Sequence, residues 1–379
     1  MKFVLAPDKF KGSLTGFQFC NAVEEGLKLV FKNSEVLKMP LADGGDGTME
    51  VVKHYLKAKK ITLTVKDPLF RPIAASYLYS EKDKTAYIEM AEASGLNLLK
   101  ETEQNCMYTT SFGTGELIED AMNRGARNIL LGIGGSATND GGIGMASALG
   151  FSFLDKHKET VKPIGAALGQ IVKIDSSQVH PKLTGVTVKV ACDVTNPLHG
   201  ENGAAKIYAP QKGASQKEIE ILDRGLKNYA QIIKEQFKVD VQKTAGAGAA
   251  GGMGAGALIF LNGTLASGIE LIKKMAEFDK SIQDTDWVIT GEGKLDHQTL
   301  SGKTMAGVLK SAIKFKIPVA ALCGSVDISE SVQESLGLTY VTSTVRGVSD
   351  WEEIKKSSYE DLRFAAFNFA KTLKNSQDS

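Results

Sequence analysis

The feature that most constrains this fold is a regular alternation of short, apolar, β-branched segments with helix-length amphipathic segments. The predicted strands of this kind are residues 2–6, 36–41, 287–290, 318–322 and 339–344, and the predicted helices are residues 16–31, 49–56, 304–314 and a last helix from about 358. Thr15 and Gln18 form a predicted capping box for the first helix. Such alternation is typical of an α/β fold with a mainly parallel sheet.

The middle of the chain follows a different pattern. Three consecutive strands joined by turns predict an antiparallel meander over residues 61–65, 74–79 and 85–90. The alternating pattern then returns in helices 115–124, 143–149 and 217–237 and in strands 128–133 and 186–191. We therefore predict two α/β domains: a doubly wound domain from residues 1–60 and 266–379, and a second domain, residues 61–265, inserted into it.

The bulk composition of the 379 residues excludes several classes of protein. A formal net charge of +1 argues against a protein whose main role is to bind nucleic acid or an anionic membrane. The first residues lack the pattern of a secretory signal, and no apolar run approaches the roughly 18–20 residues that span a bilayer. The four cysteines are widely scattered, which favours reduced thiols in a cytoplasmic enzyme.

Several predicted strands run directly into a loop that holds glycine together with an acid or a base. These loops are LAPDKFKGS (5–13), PLADGGDGT (40–48), LGIGGSATNDGG (131–142), VACDVTNPL (190–198) and ITGEGKLD (289–296). Ligands of open α/β sheets bind outside the carboxyl ends of the strands, where such loops converge. The loops are therefore the candidate functional site.

The first two loops offer charges of opposite sign. Lys9, Lys11 and Ser13 precede a helix amino terminus, whose free N–H groups favour a carboxylate or phosphate; the alternative is two solvated lysines beside an ordinary cap. Asp43 and Asp46 flank a Gly-Gly turn, where two close carboxylates favour a magnesium ion or a substrate hydroxyl. The alternative for this pair is a turn residue followed by a helix N-cap.

The third loop is rich in glycine. Backbone amides of Gly134, Gly135 and Ser136 could surround phosphate oxygens, with Asn139 and Asp140 nearby for a metal or a ribose. The alternative is a tight turn from strand to helix. The later stretch GAGAAGGMGAG carries no functional side chain, and close packing of helices explains it equally well.

The remaining two loops place acids directly after strands. Asp193 follows one strand, and Glu292, Lys294 and Asp296 follow another. Acids at such positions suit magnesium binding or deprotonation of a hydroxyl nucleophile. The alternative for each is a structural hydrogen bond.

Two further motifs imitate known nucleotide-binding motifs. Gly302, Lys303 and Thr304 end like a P-loop, but His297 stands where the first glycine of that motif belongs. GIGGSA follows a strand and has Asp155 downstream, as in a dinucleotide fingerprint. A dinucleotide-binding motif would indicate an NAD-dependent oxidoreductase acting on a hydroxy acid, which is the alternative function. That reading would leave the acidic loops without a role. A non-catalytic protein that binds a sugar acid is a third candidate.

The motifs taken together resemble those of the glycerate kinase family, over most of the chain and in the same order. They are APDKFKGS, PLADGGDGT, TTSFGTGE, GIGGSATNDGGIGM, CDVTNPLHGENGAA, APQKGA, GAGAAGGMGAG and TGEGKLD. The resemblance implies a flavodoxin-like domain with an inserted α/β domain. It also implies transfer of the ATP γ-phosphoryl group to D-glycerate, usually giving 2-phosphoglycerate, in the breakdown of glycerate and sugar acids.

Phosphoryl transfer requires positioning, magnesium and a carboxylate for the attacking hydroxyl. We assign the catalytic roles to Asp193 or Asp296, as the base, and to Lys9. Binding of substrate and phosphate falls to Lys11, Ser13, Gly134, Gly135, Ser136, Glu292 and Lys294. Magnesium would be held by Asp43, Asp46 or Asp140. The expected ligands are ATP, Mg²⁺ and D-glycerate, and the oligomeric state, monomer or homodimer, stays open.

The imitation of a P-loop gives a first prediction. If Lys11 binds an anionic group and Lys303 does not, Lys11→Ala should lower kcat/KM for glycerate phosphorylation more than Lys303→Ala does. A true P-loop lysine would reach the nucleotide phosphates, so its loss would be the more damaging of the two. Steady-state kinetics on both variants compares them, and the reverse ranking would show that the anion site is misplaced.

Overall fold

The computed structural model describes residues 1–10, 12–44, 47–296 and 303–377. Its strands are β1 Lys2–Leu5, β2 Glu35–Lys38, β3 Lys59–Lys66, β4 Pro72–Ser80, β5 Thr85–Glu89, β6 Asn128–Gly132, β7 Ser152–Leu154, β8 Lys173–Asp175, β9 Thr187–Ala191, β10 Thr264–Ala266, β11 Trp287–Thr290, β12 Lys294–Leu295, β13 Val319–Cys323, β14 Ser325–Val326 and β15 Tyr340–Ser343. Its α-helices are α1 Gly16–Lys28, α2 Thr48–Leu56, α3 Ala91–Ser94, α4 Phe112–Asn123, α5 Ile143–Ala148, α6 Ala204–Tyr208, α7 Gln216–Phe237, α8 Ala249–Phe260, α9 Gly268–Met275, α10 Phe278–Ser281, α11 Lys303–Phe315, α12 Glu330–Leu336 and α13 Trp351–Gln377.

The contacts divide the chain into two units: residues 1–51 with 269–379, and residues 52–268. The first unit holds a five-stranded sheet in the order β15-β13-β11-β1-β2, in which all neighbouring strands are parallel. Numbered within the unit, this order is 2-1-3-4-5, the flavodoxin-like arrangement of an α/β sheet. The predicted α/β class is confirmed, whereas the domain boundaries at 60 and 266 stay a prediction.

Helix α1 shows why the first unit folds from separated parts of the chain. Its apolar face, with Phe19, Val23 and Leu27 fully buried, belongs to the same core cluster as Phe369 of α13. The predicted capping box at its start is confirmed. The Gln18 amide donates to Thr15 Oγ1 at 3.2 Å, and the Thr15 amide donates to Gln18 Oε1 at 2.9 Å.

The second unit holds a six-stranded mixed sheet in the order β10-β9-β6-β5-β4-β3. β3, β4 and β5 form the predicted antiparallel meander, and β5, β6, β9 and β10 are mutually parallel neighbours. The carboxyl ends of those four parallel strands therefore lie along one edge of the sheet. That edge carries the loops after Glu89, Gly132, Ala191 and Ala266.

Most predicted bounds differ from the observed ones by one to three residues, and the start of α13 differs by more. β2 ends at Lys38 rather than at residue 41, although the Met39 amide still donates to the Leu5 carbonyl at 2.7 Å and the Leu41 amide to the Pro7 carbonyl at 3.0 Å. α13 begins at Trp351, well before residue 358. Asp350 accepts the Glu353 amide at 2.9 Å, and acidic residues fill the first turn of the helix, which is a start signal that the prediction overlooked. Among the residues described, no helix combines the length and apolarity that a membrane span requires.

Candidate functional site

The first unit positions one group of candidate residues at the point where its strand order reverses. β1 and β11 are parallel neighbours there, and in the flavodoxin-like order this switch point is where ligands bind. The loops that follow the two strands are tied together. The Asp8 amide donates to the Gly291 carbonyl at 3.0 Å, and Thr290 Oγ1 donates to the Ala6 carbonyl at 2.8 Å.

A cavity of about 310 Å³ opens at this position. Lys9 and Ser13, both predicted as site residues, line it together with Asp8, Gly47 and Glu50. A Cβ atom at Gly47 would lie 3.2 Å from Lys9 Cδ, so the lysine side chain passes directly over that glycine. Lys9 thus lies beside the start of α2. Two other predicted residues, Lys11 and Asp46, lie outside the described residues.

Asp8 is a residue of this cavity that the sequence prediction missed. Burial raises the pKa of its carboxyl group, and the Asp43 charge raises it further, while the neighbouring Thr304 side chain and a hydrogen bond from the Lys9 amide oppose the rise. The Lys9 amide donates to Asp8 Oδ1 at 2.7 Å. Two carboxylates that repel each other favour a bound cation, although the Lys9 ammonium group already offsets part of the repulsion. The signal was an acid directly after a strand, overshadowed by the two lysines that follow it.

The charged residues after β11 include an ion pair that the sequence analysis did not predict. Lys294 Nζ lies 3.1 Å from Asp296 Oδ2 and 3.4 Å from Asp327 Oδ2, and these carboxylates raise the pKa of Lys294. Asp296 is therefore an ion-paired carboxylate, and pairing with a cation makes a carboxylate a weaker base. Glu292 is half-buried, and its carbonyl accepts the Gly324 amide at 3.1 Å.

Ser13 faces two cavities. Besides the cavity around Asp8 it lines a second one of about 220 Å³, together with Trp351 and Ser358. Its hydroxyl donates to Ser358 Oγ at 2.6 Å. Its hydroxyl hydrogen is thus used within the chain, and its amide donates to the Phe10 carbonyl at 2.9 Å, so an anion would have to displace one of these bonds.

The second unit positions another group on the Gly134 loop, which we define as residues 133–142 after β6. Gly134 and Gly135 are exposed, and within the described part of the chain no atom accepts a hydrogen bond from either amide. Two backbone hydrogen bonds, each 2.9 Å long, hold the loop in place. The Leu96 amide donates to the Gly135 carbonyl, and the Ala137 amide donates to the Ser94 carbonyl. The two glycines therefore present open donors on a fixed backbone, as an anion site requires.

Asp140 lies in the same loop but has a closed environment. Its fully buried carboxylate accepts hydrogen bonds from the Ser111 amide at 2.8 Å, Ser111 Oγ at 2.7 Å, the Gly142 amide at 3.1 Å and the Gly144 amide at 3.2 Å. Burial raises the pKa of Asp140, and these bonds oppose the rise. Four donors on one carboxylate favour a structural role for Asp140 over the magnesium role that we predicted.

Lys212 is a second residue that the prediction missed. It is 3% exposed, and its Nζ donates to Ser136 Oγ and to the Thr138 carbonyl, each at 2.7 Å. Burial lowers the pKa of Lys212 to about 8, although Cys106 and Asp140 act in the opposite direction. The signal was a lysine within the APQKGA segment, which we had used only for the family resemblance. Nothing in the local sequence indicates that this lysine is buried.

Other polar groups of the Gly134 loop are buried without partners. Thr138 Oγ1 and both amide atoms of Asn139 find no hydrogen-bond partner among the described residues. Buried polar atoms are nearly always paired in native proteins, and exceptions concentrate at functional positions. The loop thus combines open backbone donors, a buried ammonium group and unpaired polar atoms.

The glycine-rich stretch packs against this loop. α8 contains left-handed backbone at Ala250, Gly251 and Gly252, and the Gly141 amide donates to the Gly251 carbonyl at 3.0 Å. A Cβ atom at Gly251 would lie only 2.0 Å from the Thr138 carbonyl oxygen. Close packing is therefore what the small residues provide, in agreement with one of the two readings of this stretch.

Asp193 follows β9 on the same edge of the sheet. One of its carboxylate oxygens accepts the Gly268 amide, the first amide of α9, at 3.1 Å. The residue is half-buried, so its carboxylate is fixed in direction and partly open to solvent. Within the described ranges, no group of three or more His, Cys, Asp or Glu side chains is placed to hold a metal ion.

Comparison with known proteins decides the family. The family model described as "Glycerate kinase family" matches residues 3–374. The chain belongs to the glycerate kinase family. A Bacillus cereus protein named glycerate kinase is 43% identical over 374 residues, covering 99% of this chain and 98% of the relative. An Escherichia coli protein named glycerate 2-kinase is 42% identical over 373 residues, covering 98% of both chains.

A solved structure has the same fold. The Salmonella typhimurium protein described as a glycerate kinase 2 is 40% identical, with a TM-score of 0.92 over 100% of both chains. The predicted family is thus confirmed, whereas the roles of individual residues stay predictions. The NAD-dependent oxidoreductase and the binding protein find no support in these comparisons.

The packing of α8 on the Gly134 loop gives a second prediction. Gly251→Ala places a methyl group against the Thr138 carbonyl at a left-handed backbone position, so we expect a loss of more than about 2 kcal/mol of unfolding free energy. Denaturant unfolding measures the loss. Gly169→Ala is the matched control, because its Cβ would find nothing closer than Gly225 Cα at 3.9 Å. Equal stability of the two variants would contradict the proposed packing constraint.

Proposed function

We propose that this protein is an ATP-dependent glycerate kinase, which transfers the γ-phosphoryl group of ATP to D-glycerate and forms 2-phosphoglycerate. The observation that carries the proposal is the match to the glycerate kinase family over residues 3–374. The name of the Escherichia coli relative, glycerate 2-kinase, supports the 2-hydroxyl as the acceptor. The proposal includes a role in the breakdown of glycerate and sugar acids.

The two groups of residues supply the donors that phosphoryl transfer needs. In the first unit Lys9 lines the cavity at the switch point and offers an ammonium group to an anion. In the second unit the open amides of Gly134 and Gly135 suit phosphate oxygens. Phosphoryl transfer depends mainly on positioning and charge stabilisation, so it does not require a P-loop.

Magnesium fits the carboxylates of the first unit. Burial, and to a smaller extent the charge of Asp43, raise the pKa of Asp8, which supports placing the two carboxylates around one cation. Asp8 and Asp43 would hold Mg²⁺, whose charge neutralises phosphate oxygens when it is bound. Asp8 takes the place that we had given to Asp140.

The base for the glycerate hydroxyl is Asp193 in this proposal. Its carboxylate is half-buried and fixed by one backbone amide, and it follows directly from a strand of the sheet. Asp296 is the weaker candidate because Lys294 pairs with it. A fixed, partly solvated carboxylate suits proton removal from a hydroxyl during attack.

A cytoplasmic location completes the proposal. All four cysteines lie in described residues and none forms a disulfide, as expected for a reducing compartment.

The proposal predicts a strict requirement for three components. ADP should form only when D-glycerate, ATP and a divalent cation are all present, because the acceptor, the donor and the neutralising charge are each essential. A coupled assay for ADP measures this, with phosphorus NMR of the product to identify the phosphorylated hydroxyl. Equal ATP turnover without glycerate, or full activity in excess chelator, would contradict the proposed function.

The assignment of the base predicts a loss confined to the chemical step. Asp193→Asn keeps the shape of the side chain and removes its charge, so we expect kcat to fall on the order of 10²-fold or more with little change in KM. Steady-state kinetics measures both constants.

Asp175→Asn is the matched control for this variant. Asp175 also ends a strand and accepts a single backbone amide, that of Ser177 at 2.9 Å, and it has no assigned catalytic role. Its kcat should stay near the wild-type value. An Asp193→Asn protein that melts like the wild type and keeps more than about a tenth of kcat is incompatible with a base at this position.

A further inference from the structure

Lys212 is a buried lysine that forms no direct ion pair with a carboxylate of the described residues. Within the described residues no carboxylate oxygen lies within the 4.0 Å that defines an ion pair with its Nζ. Its two acceptors, Ser136 Oγ and the Thr138 carbonyl, are neutral groups of the Gly134 loop. Buried cations are ordinarily paired, so one that is not paired marks a candidate functional position.

The position of Lys212 is fixed from its own side of the chain. Its amide donates to the Ala209 carbonyl at 3.0 Å, and its carbonyl accepts the Cys106 amide at 3.1 Å. A Cβ atom at the next residue, Gly213, would lie 1.9 Å from the Gln104 carbonyl oxygen. The two backbone segments are therefore packed too closely for any side chain at residue 213. The ammonium group is therefore presented to the loop by a rigid backbone.

The two bonds of Lys212 hold the turn that carries the open amides. Ser136 directly follows Gly134 and Gly135, and Thr138 lies two residues further on. An ammonium group has three donors, of which these bonds use two. The arrangement places a buried ammonium group close to two exposed N–H groups; Asp140 of the same loop acts on it without forming a direct ion pair, and the three donors together favour an anion.

We propose that Lys212 is the positioning residue of an anion site formed by the amides of Gly134 and Gly135, and that this site takes a phosphate group of the nucleotide. The inference rests on the proposed kinase function for the identity of its ligand. Lys212 acts through the loop: it fixes the turn and supplies charge, and it does not itself touch the transferred group.

Calorimetric titration with ADP and Mg²⁺ tests this without any turnover. Lys212→Met keeps the length of the side chain and removes the charge, so Kd for ADP should rise at least about tenfold, as expected for loss of a charge-assisted interaction. Kd for D-glycerate should change less than about threefold on this scale. An unchanged Kd for ADP, or weakening of glycerate binding alone, overturns the proposal.

Lys273→Met is the matched control. Lys273 is also buried, at 4% exposure, but it is paired with Glu270 at 3.1 Å and Asp279 at 3.7 Å in the first unit. Its loss should leave Kd for ADP within about threefold. Equal weakening by both variants would show a general effect of removing a buried lysine, and would overturn the proposal.

Ser136→Ala carries the test if Lys212→Met does not fold. It removes one acceptor of the ammonium group and keeps the charge, so we expect Kd for ADP to rise about threefold or more. An unchanged Kd in a folded Ser136→Ala protein overturns the proposal. If the wild type binds ADP but does not phosphorylate glycerate, the proposed function fails, while the loss of ADP binding in Lys212→Met would still support the anion site.

Discussion

Parallel strand pairing is the constraint on which the rest of this structure depends. Parallel neighbours must end at the same edge of a sheet, so each loop that follows a strand lies beside the loop that follows its neighbour. In the first unit this brings Asp8, which follows β1, next to Gly291, which follows β11. In the second unit it places the Gly134 loop and Asp193 after the neighbouring strands β6 and β9. Residues far apart in sequence thereby share an edge in each sheet.

The Gly134 loop adds a second constraint, because its backbone must satisfy buried charges of both signs. Asp140 is satisfied by four donors of its own surroundings, three of them backbone amides. Lys212 is satisfied only in part, by two neutral oxygens. Desolvating a charge costs several kcal/mol, so the carboxylate is stabilised where it lies, while the ammonium group retains unmet attraction for negative charge. The loop is therefore fixed by the hydrogen bonds of Asp140 near its end, and it lies against the ammonium group of Lys212 at Ser136 and Thr138.

The sequence reveals the elements whose signals are local and misses those whose signals are not. The strand at residues 287–290 is predicted with its observed bounds, because a β-branched run between polar segments needs no tertiary information. The capping box of Thr15 and Gln18 is likewise local. The start of α13 was local too, but its N-cap, Asp350, was overlooked.

The side chains of the candidate site were likewise predictable only where the signal is local. Lys9 could be selected from its position before a helix, and it does line the cavity at the switch point. Lys212 could not, because its burial depends on segments around residues 104, 136 and 209 that fold over it. A carboxylate beside Lys212 would have stabilised the folded chain, yet it would also have competed with any anion for the same charge. A buried lysine with only neutral partners is the arrangement that keeps the Gly134 loop attractive to phosphate, at a cost in stability that the rigid surroundings of Lys212 must offset.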